Sequence, residues 1–153
     1  MRTVDVRQIH APSDDVFRAA RDVERWPALL PHYRRVRVLE RHADRTVVEM
    51  AAWRPFGALR WPTWWVSEMW VDEARRLVRY RHVRGVTTGM DVVWSVTAGP
   101  DGTTATIVHE WDGPPWPVIG RAAAEWIIGP VFVHGIASRT LAGLARHLEQ
   151  HHD

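Results

Sequence analysis

Apolar residues recur with two different periods along the chain, and the changes of period divide it into three parts. TVDVRQIH, residues 3–10, alternates with a period of two, which predicts a strand. Over residues 11–26 the period becomes that of a helix. Its apolar positions are Val16, Phe17, Ala20 and Val23.

Proline and small polar residues mark the ends of this first helix. Pro12 fixes the start, and Ser13 or Asp14 is expected to cap the first turn. Pro27 and Pro31 bracket a short connection, for which we expect helical structure as well.

From residue 33 to residue 111 the period returns to two. Turn signals such as HAD, DEA and GPDG separate six strand candidates, and consecutive short strands with tight turns predict an antiparallel meander. The candidates are YRRVRVLERH (33–42), RTVVEMAAW (45–53), PTWWVSEMWV (62–71), RRLVRYRHV (75–83), MDVVWSVT (90–97) and TATIVHEW (104–111).

Beyond Trp116 the pattern is helical again, and Gly129 and Pro130 predict a kink or a break between two helices. We therefore predict a single α+β domain over residues 1–153. A curved seven-stranded antiparallel sheet should pack on a long carboxy-terminal helix and leave a space between them. The apolar stripe of that helix is Phe132, Val133, Ile136, Ala137, Leu141, Leu144, Ala145 and Leu148.

The composition of the chain excludes several classes of function. The chain has no cysteine, which excludes disulfides, thiolate metal sites and thiol catalysis. All 20 basic residues are arginines, but 18 acids lie among them, so the formal charge of +2 is too small for a nucleic-acid footprint. The sequence shows neither a targeting segment nor an apolar run of bilayer length, so we expect a soluble, cytoplasmic protein without membrane insertion.

The segment RWPTWWVSEMWVDE, residues 60–73, contains four of the ten tryptophans. Read as a strand, it places Trp65, Ser67 and Met69 on one face, together with Trp61 and Thr63. A helix is the alternative, because Trp61, Trp64, Trp65 and Glu68 also fall at helical spacing. Aromatic and β-branched residues and the strand signals on both sides favour the strand.

Several segments taken in order resemble a known family. DVERWPALLPHY after the first helix, WVS in a middle strand, RYRHV followed by GMDVVW, and the closing helix are similar to the polyketide cyclase and aromatase group. That group belongs to the START-like, Bet v 1-like helix-grip superfamily. The resemblance implies a deep hydrophobic cavity in which a poly-β-ketone chain undergoes aldol cyclisation and dehydration. For this chemistry we expect neither a cofactor nor a metal.

The resemblance also assigns residues. The family's cavity aromatics match Trp26 and Tyr33, and its strand serine and the preceding tryptophan match Ser67 and Trp65. A family methionine and tryptophan match Met90 and Trp94. The family's arginine, which is thought to polarise a ketide oxygen, is replaced here by Met69.

Strand parity supplies candidates for the missing polar groups. Charges are costly to bury, so Arg79 and Arg81 should point outward and His82 inward, and His109 should share its cavity. A histidine can remove an α-proton from a β-diketone while a hydroxyl donates to the enolate oxygen. The predicted catalytic residues are Tyr33, Ser67, His82 and His109. The predicted ligand-binding residues are Trp26, Trp53, Trp65, Met69, Tyr80, Met90, Trp94 and Trp111.

The residues alone leave alternative functions open. A non-catalytic carrier of a lipid, an isoprenoid quinone or another hydrophobic molecule fits the loss of the arginine, and any single tryptophan can simply pack in the core. Ser67, His82 and Asp91 have the residue types of a hydrolase triad but no nucleophile-elbow sequence around the serine. For the enzyme, an acyl carrier protein is the expected partner, and Arg34, Arg35 and Arg37 could meet its acidic surface.

Overall fold

The computed structural model describes residues 1–56, 59–113 and 133–151, without the side chains of residues 54–56 and 59–61. Seven strands and three helices are found in these ranges, with a 3-10 turn at Val23–Arg25. The strands are β1 (Arg2–Ile9), β2 (Tyr33–Arg41), β3 (Thr46–Phe56), β4 (Leu59–Asp72), β5 (Leu77–Gly85), β6 (Asp91–Gly99) and β7 (Gly102–Glu110). The helices are α1 (Ser13–Arg21), α2 (Trp26–Leu29) and α3 (His134–Gln150).

The seven strands form a single antiparallel sheet in the order β1-β7-β6-β5-β4-β3-β2. Strands β2 to β7 follow one another as hairpins, and β1 joins the free edge of β7, so the chain's first strand lies next to its last. Short turns explain the meander, because an antiparallel partner needs only a tight connection. The predicted α+β arrangement of a curved sheet and a carboxy-terminal helix is confirmed.

Strand β4 carries the tryptophan-rich segment, and the helical alternative for it is wrong. Trp65 is 6% exposed and Trp64 46% exposed, as expected for neighbours on opposite faces of a strand. A bulge lies between Val66 and Ser67 in the pairing with β5. At the bulge β5 has one extra residue, so that Ser67 lies opposite His82 and both side chains are buried on the inner face.

The first helix begins differently from the prediction. Pro12 occupies the N-cap position and no side chain caps the helix, so neither Ser13 nor Asp14 is the cap. Asp14 forms an ion pair with Arg76 instead, across to the β4–β5 turn. Carboxylates in a first helical turn interact favourably with the free N–H groups there even without a capping hydrogen bond.

Edge strand β1 turns its more apolar side to solvent. Val4 and Val6 are 45% and 59% exposed, whereas Asp5 and Ile9 are buried. Asp5 Oδ1 is tied to His134 at the start of α3 by a short hydrogen bond, which compensates in part for burying the carboxylate, whereas Oδ2 is buried without a partner among the described residues. This contact fixes the start of α3 against the edge of the sheet.

Helix α3 packs its apolar stripe on the inner face of the sheet. The predicted positions Ile136, Ala137, Leu141, Leu144, Ala145 and Leu148 are all buried. Gly143 allows close approach to α2, since a Cβ atom there would lie 2.4 Å from Cδ2 of Leu30. Phe132 and the predicted kink at Gly129 and Pro130 lie outside the described residues. None of the described helices is long and apolar enough to cross a membrane.

Candidate functional site: an aromatic cavity between sheet and helix

A cavity of about 60 Å³ lies between the inner face of the sheet and α3. Sites for drug-sized ligands usually have roughly 300 Å³ or more, so a ligand of several rings would have to displace side chains to enter. No charged carboxylate or guanidinium is found among the described lining residues. They are Trp26, Tyr33, Met50, Trp65, Tyr80, His82, Met90, Val92, Trp94, Ile107, His109, Val133, Ile136, Ala137 and Thr140.

Aromatic rings in edge-to-face and tilted contacts form one wall of the cavity. The ring centroid of Trp26 lies 5.1 Å from that of Tyr33 and 5.7 Å from that of Trp94. The ring centroids of Tyr33 and Trp65 are 6.2 Å apart. The indole of Trp26 donates a hydrogen bond to the carbonyl of Ala19, which satisfies its one polar atom. The wall is therefore held in place by contacts within the protein rather than by a ligand.

His82 is the most constrained polar group of the site. Its ring stacks on Trp65 with an interplanar angle of 2° and a centroid distance of 5.6 Å. Its Nδ1 shares a 2.7 Å hydrogen bond with the hydroxyl of Thr87. Burial lowers the pKa of His82 to about 3, and the neighbouring His109 acts in the same direction. The imidazole is therefore neutral at physiological pH.

The hydrogen bond to Thr87 depends on the turn between β5 and β6. Gly85 and Gly89 have φ values of +100° and +92°, which side-chain-bearing residues rarely adopt. The turn folds back so that Gly89 N–H donates to the carbonyl of His82, and the indole of Trp111 donates to the carbonyl of Thr88. Thr87 is thereby placed over His82 at 1% exposure.

His109, on β7, contributes a second neutral imidazole to the same cavity. Burial lowers the pKa of His109 to about 4. Its Nδ1 is buried and has no hydrogen-bond partner among the described residues, and the same is true of the Tyr80 hydroxyl. Burial raises the pKa of Tyr80 well above its ordinary value, and Tyr33 acts in the same direction, so both phenols keep their protons. Unpartnered polar atoms of this kind are available to a ligand oxygen.

Tyr33 lies beside a hydrogen-bond chain that sequence reasoning missed. The Thr140 hydroxyl of α3, which also lines the cavity, shares a 2.9 Å hydrogen bond with Nε2 of His32 and donates to the carbonyl of Ile136 at 2.8 Å. Burial raises the pKa of Tyr33. The pKa of His32 is lowered to about 4, mainly by burial and then by the charge of Arg139. A polar residue in the apolar stripe of α3 was the available signal for Thr140.

Some of the predicted site residues line the cavity and others do not. Tyr33, His82 and His109 line the cavity, whereas Ser67 is fully buried beside it, with an Oγ that has no partner in the described part of the chain. Of the predicted ligand-binding residues, five line the cavity: Trp26, Trp65, Tyr80, Met90 and Trp94.

The other three predicted ligand-binding residues are not in the lining. Trp53 borders a separate surface cleft, Met69 packs in the core at 5% exposure, and Trp111 supports the β5–β6 turn. Parity assigned each of them to a strand face, but position along the strand decides whether that face meets the cavity. The additional lining residues are Met50, Val92, Ile107, Val133, Ile136, Ala137 and Thr140.

The hydrolase-triad alternative has no geometric support. Asp91 forms an ion pair with Arg81 on the solvent side of the sheet. His82 Nδ1, which an orienting carboxylate would have to contact, bonds to Thr87 instead.

A seven-stranded antiparallel sheet that grips a long carboxy-terminal helix, with an aromatic cavity between the two, is a helix-grip fold of the START-like and Bet v 1-like class. The family model described as "Polyketide cyclase / dehydrase and lipid transport" matches residues 1–149. The chain belongs to this family.

Named relatives in Streptomyces agree with this assignment. A Streptomyces cyaneus protein named "Putative polyketide cyclase" is 35% identical over 96 residues, which cover 62% of each chain. A Streptomyces halstedii protein of the same name is 35% identical over 95 residues, 61% of this chain and 85% of that one. The match thus spans less than two thirds of the length of the Streptomyces cyaneus relative.

Solved structures share the fold at low identity. The Zhui aromatase/cyclase from Streptomyces sp. R1128 superposes with a TM-score of 0.76 at 18% identity, covering 98% of this chain and 94% of that one. A Thermus thermophilus protein, TTHA0849, gives a TM-score of 0.81 at 19% identity, with both chains fully covered. A START superfamily protein from Mycobacterium smegmatis gives 0.70 at 15% identity, covering 97% of each chain.

Proposed function

We propose that this protein binds a poly-β-ketone or aromatic polyketide in the cavity and promotes its aldol cyclisation and dehydration. The observation that carries the proposal is the pair of neutral imidazoles, His82 and His109, in one cavity with the hydroxyls of Tyr33 and Tyr80. A cavity that only dissolves a hydrophobic chain has little use for four such groups. The names of the Streptomyces relatives support the same reaction class.

The chemistry follows from the charge state of the site. A neutral histidine removes an α-proton, and a tyrosine hydroxyl donates a hydrogen bond to the enolate oxygen as it forms. The enolate carbon then bonds to a second carbonyl carbon, whose oxygen takes the proton from the imidazolium to give the aldol hydroxyl and restores the neutral histidine. In dehydration a second α-proton goes to a histidine, the hydroxyl leaves as water with the proton of an imidazolium, and a double bond remains. No net charge enters or leaves the cavity.

The low pKa values of His82 and His109 make each a weak base in the empty cavity. An enolate changes this balance, because its negative charge beside the imidazolium stabilises the protonated ring in a medium of low dielectric constant. The proton transfer is therefore favoured only when a ligand with an acidic C–H group is bound. Met69 replaces the family's arginine, so the oxygen would be held by tyrosine donors instead of a cation.

An acyl carrier protein as partner and Ser67 as a further polar residue of the site belong to the same proposal. An acyl carrier protein would deliver the ketide chain, with Arg34, Arg35 and Arg37 on β2 as candidate contacts. Arg35 and Arg37 both pair with Glu49, which reduces the charge they can offer, whereas Arg34 lies over the ring of Trp53. Ser67 stays a prediction, because its hydroxyl is fully buried and does not line the cavity.

A second candidate function is non-catalytic transport of a hydrophobic molecule such as a lipid or an isoprenoid quinone. The observation that favours it is a described lining without a charged group, together with Met69 at the family's arginine position. The family description includes lipid transport as well as cyclisation.

A binding titration followed by a turnover assay separates the two functions. The protein is titrated with an aromatic polyketide, a ubiquinone analogue and a fatty acid while tryptophan fluorescence is recorded. Selective, saturable quenching by the polyketide is expected. Preference for the quinone or the fatty acid would favour the carrier.

The histidines are tested by His82→Ala and His109→Ala, with His42→Ala, at an exposed position just after β2, as the matched control. Each cavity variant is expected to lose about a hundredfold or more in turnover while the protein stays folded. Unchanged turnover in both would remove the proposed base. Unchanged turnover with weaker ligand binding would leave the imidazoles a binding role only.

A further inference from the structure

A second concave site lies outside the cavity, on the surface where α3 meets the start of β2. It is a cleft of about 430 Å³ lined by Pro31, His32, Trp53, Arg139, Ala142 and Arg146. Arg139, Ala142 and Arg146 follow one another at intervals of three and four residues, so they share one face of α3. At a rise of 1.5 Å per residue the two arginine Cα atoms are about 10 Å apart, with only the methyl group of Ala142 between them.

The charge of this cleft is unbalanced, unlike that around several arginines elsewhere in the described residues. Arg2, Arg21 and Arg41 each lie beside a glutamate. Arg139 and Arg146 have no carboxylate within ion-pair distance in the described parts of the chain, and no acidic side chain lines the cleft. Both arginines are exposed, so an anion from solution can reach their N–H donors.

Two further features favour the binding of an anion that carries an organic group. Arg34 lies over the ring of Trp53 at 5.0 Å from its centroid, so a third guanidinium is in contact with one of the lining residues of the cleft. Pro31, Trp53 and Ala142 are the apolar residues of the lining and form an apolar floor. The positive field of Arg139 is felt inside the protein, because it contributes to the lowered pKa of His32.

We propose that the cleft formed by Trp53, Arg139, Ala142 and Arg146 binds a soluble phosphate ester. Guanidinium groups bind phosphate through paired N–H donors, and a tetrahedral dianion offers enough oxygens for more than one such group. The cleft has room for the organic part of the ester on its apolar floor. This inference rests on the cleft alone and does not depend on the proposed reaction in the cavity.

Calorimetric titration of the full chain tests the assignment with three probes: inorganic phosphate, pantetheine 4′-phosphate and vesicles containing phosphatidic acid. Saturable binding of the pantetheine ester is expected, tighter than that of inorganic phosphate, because only the ester contacts the apolar floor. Binding should weaken with added salt, since the arginines are exposed. Binding to the vesicles alone would overturn the assignment to a soluble ester.

Three variants locate the site. Arg139→Gln/Arg146→Gln is expected to weaken ester binding at least about tenfold, since two charge-assisted contacts are lost. Ala142→Leu keeps the charge but fills the cleft, and a similar loss is expected. The matched control is Arg7→Gln/Arg84→Gln, which removes the same charge from two exposed arginines elsewhere and should bind as the wild type does.

Two results would overturn the proposal. One is the absence of saturable ester binding. The other is an equal loss of affinity in the control and in Arg139→Gln/Arg146→Gln, which would show that net charge alone attracts the ester. Thermal unfolding of each variant without ligand shows whether Ala142→Leu is folded, and the charge variants decide the question if it is not.

Discussion

The two faces of β5 carry polar side chains of opposite character. Tyr80 and His82 point into the cavity, uncharged, and the Tyr80 hydroxyl has no described partner. Arg81, between them in sequence, points to solvent and pairs with Asp91, with about half of each side chain exposed. One residue of displacement along a strand therefore changes a side chain from neutral and buried to charged and hydrated.

Side chains on the inner face of the sheet contribute more to the free energy of folding than those on the outer face. On the outer face water solvates both charges of the Arg81–Asp91 pair, so breaking that ion pair costs little. On the inner face water is excluded, and each polar or aromatic side chain affects stability, protonation or ligand binding. The predictions below test that contrast, beginning with the largest expected effect.

Acidification should destabilise the protein through the inner histidines. The ordinary histidine pKa is 6.5, whereas those of His82 and His109 are about 3 and about 4 in the folded state. Below pH 6.5 the unfolded chain therefore binds more protons than the folded chain, and stability falls as pH falls. Between pH 6.5 and 4.5 the two histidines together should cost about 5 kcal/mol. Chemical unfolding at a series of pH values measures this loss.

The double variant His82→Gln/His109→Gln removes both groups and is the control for the acid effect. Its free energy of unfolding should depend less steeply on pH in the same window, whatever its stability at pH 7. An unchanged slope would mean that the two imidazoles titrate normally in the folded protein, and the cavity would then be hydrated rather than dry.

Trp26→Ala should produce the largest loss of stability at neutral pH. The indole is 2% exposed and contacts both Tyr33 and Trp94, so its removal leaves a void beside the cavity. The expected cost is about 4 kcal/mol. Trp64→Ala is the matched control, because Trp64 is 46% exposed and should cost much less. Equal losses in urea unfolding would contradict the assignment of inner and outer faces.

Sequence periodicity was sufficient for the sheet, the helix stripe and part of the cavity. Alternation along β5 placed Tyr80 and His82 inward because burying Arg79 and Arg81 would be too costly. Alternation does not show, however, whether a residue's position along its strand is next to the cavity. For this reason Trp53 and Met69 were predicted to bind the ligand, although neither lines the cavity.

The remaining features depend on tertiary contacts that have no local signature. The bond between His32 and Thr140 joins residues 108 positions apart. The bond between Thr87 and His82 requires a turn in which two glycines adopt positive φ. The failure of the predicted Ser13 or Asp14 cap has the same origin, since Asp14 is drawn to Arg76 across the structure.

Thr87→Val should have an intermediate effect, by removing the hydroxyl that fixes His82. Valine keeps the shape but leaves Nδ1 of His82 buried without a partner, which costs about 1–3 kcal/mol. Nitrogen-15 NMR of the imidazole should then show a changed tautomer population for His82, a readout that simple loss of packing would not affect. Thr87→Ser restores the hydroxyl and should restore the tautomer. If both variants show the wild-type spectrum, Thr87 does not position the ring.

The outer face of β5 should yield the smallest effect. Arg81→Gln removes the ion pair with Asp91, whose two side chains are 54% and 50% exposed, so hydration replaces most of the lost attraction. The expected cost is about 0.5 kcal/mol, and it should shrink further at high salt. Arg81 lies directly between Tyr80 and His82, so the variant also tests whether the two faces are energetically separate. A loss as large as that of Thr87→Val, or a change in the His82 resonances, would show that the outer ion pair helps to hold the cavity wall.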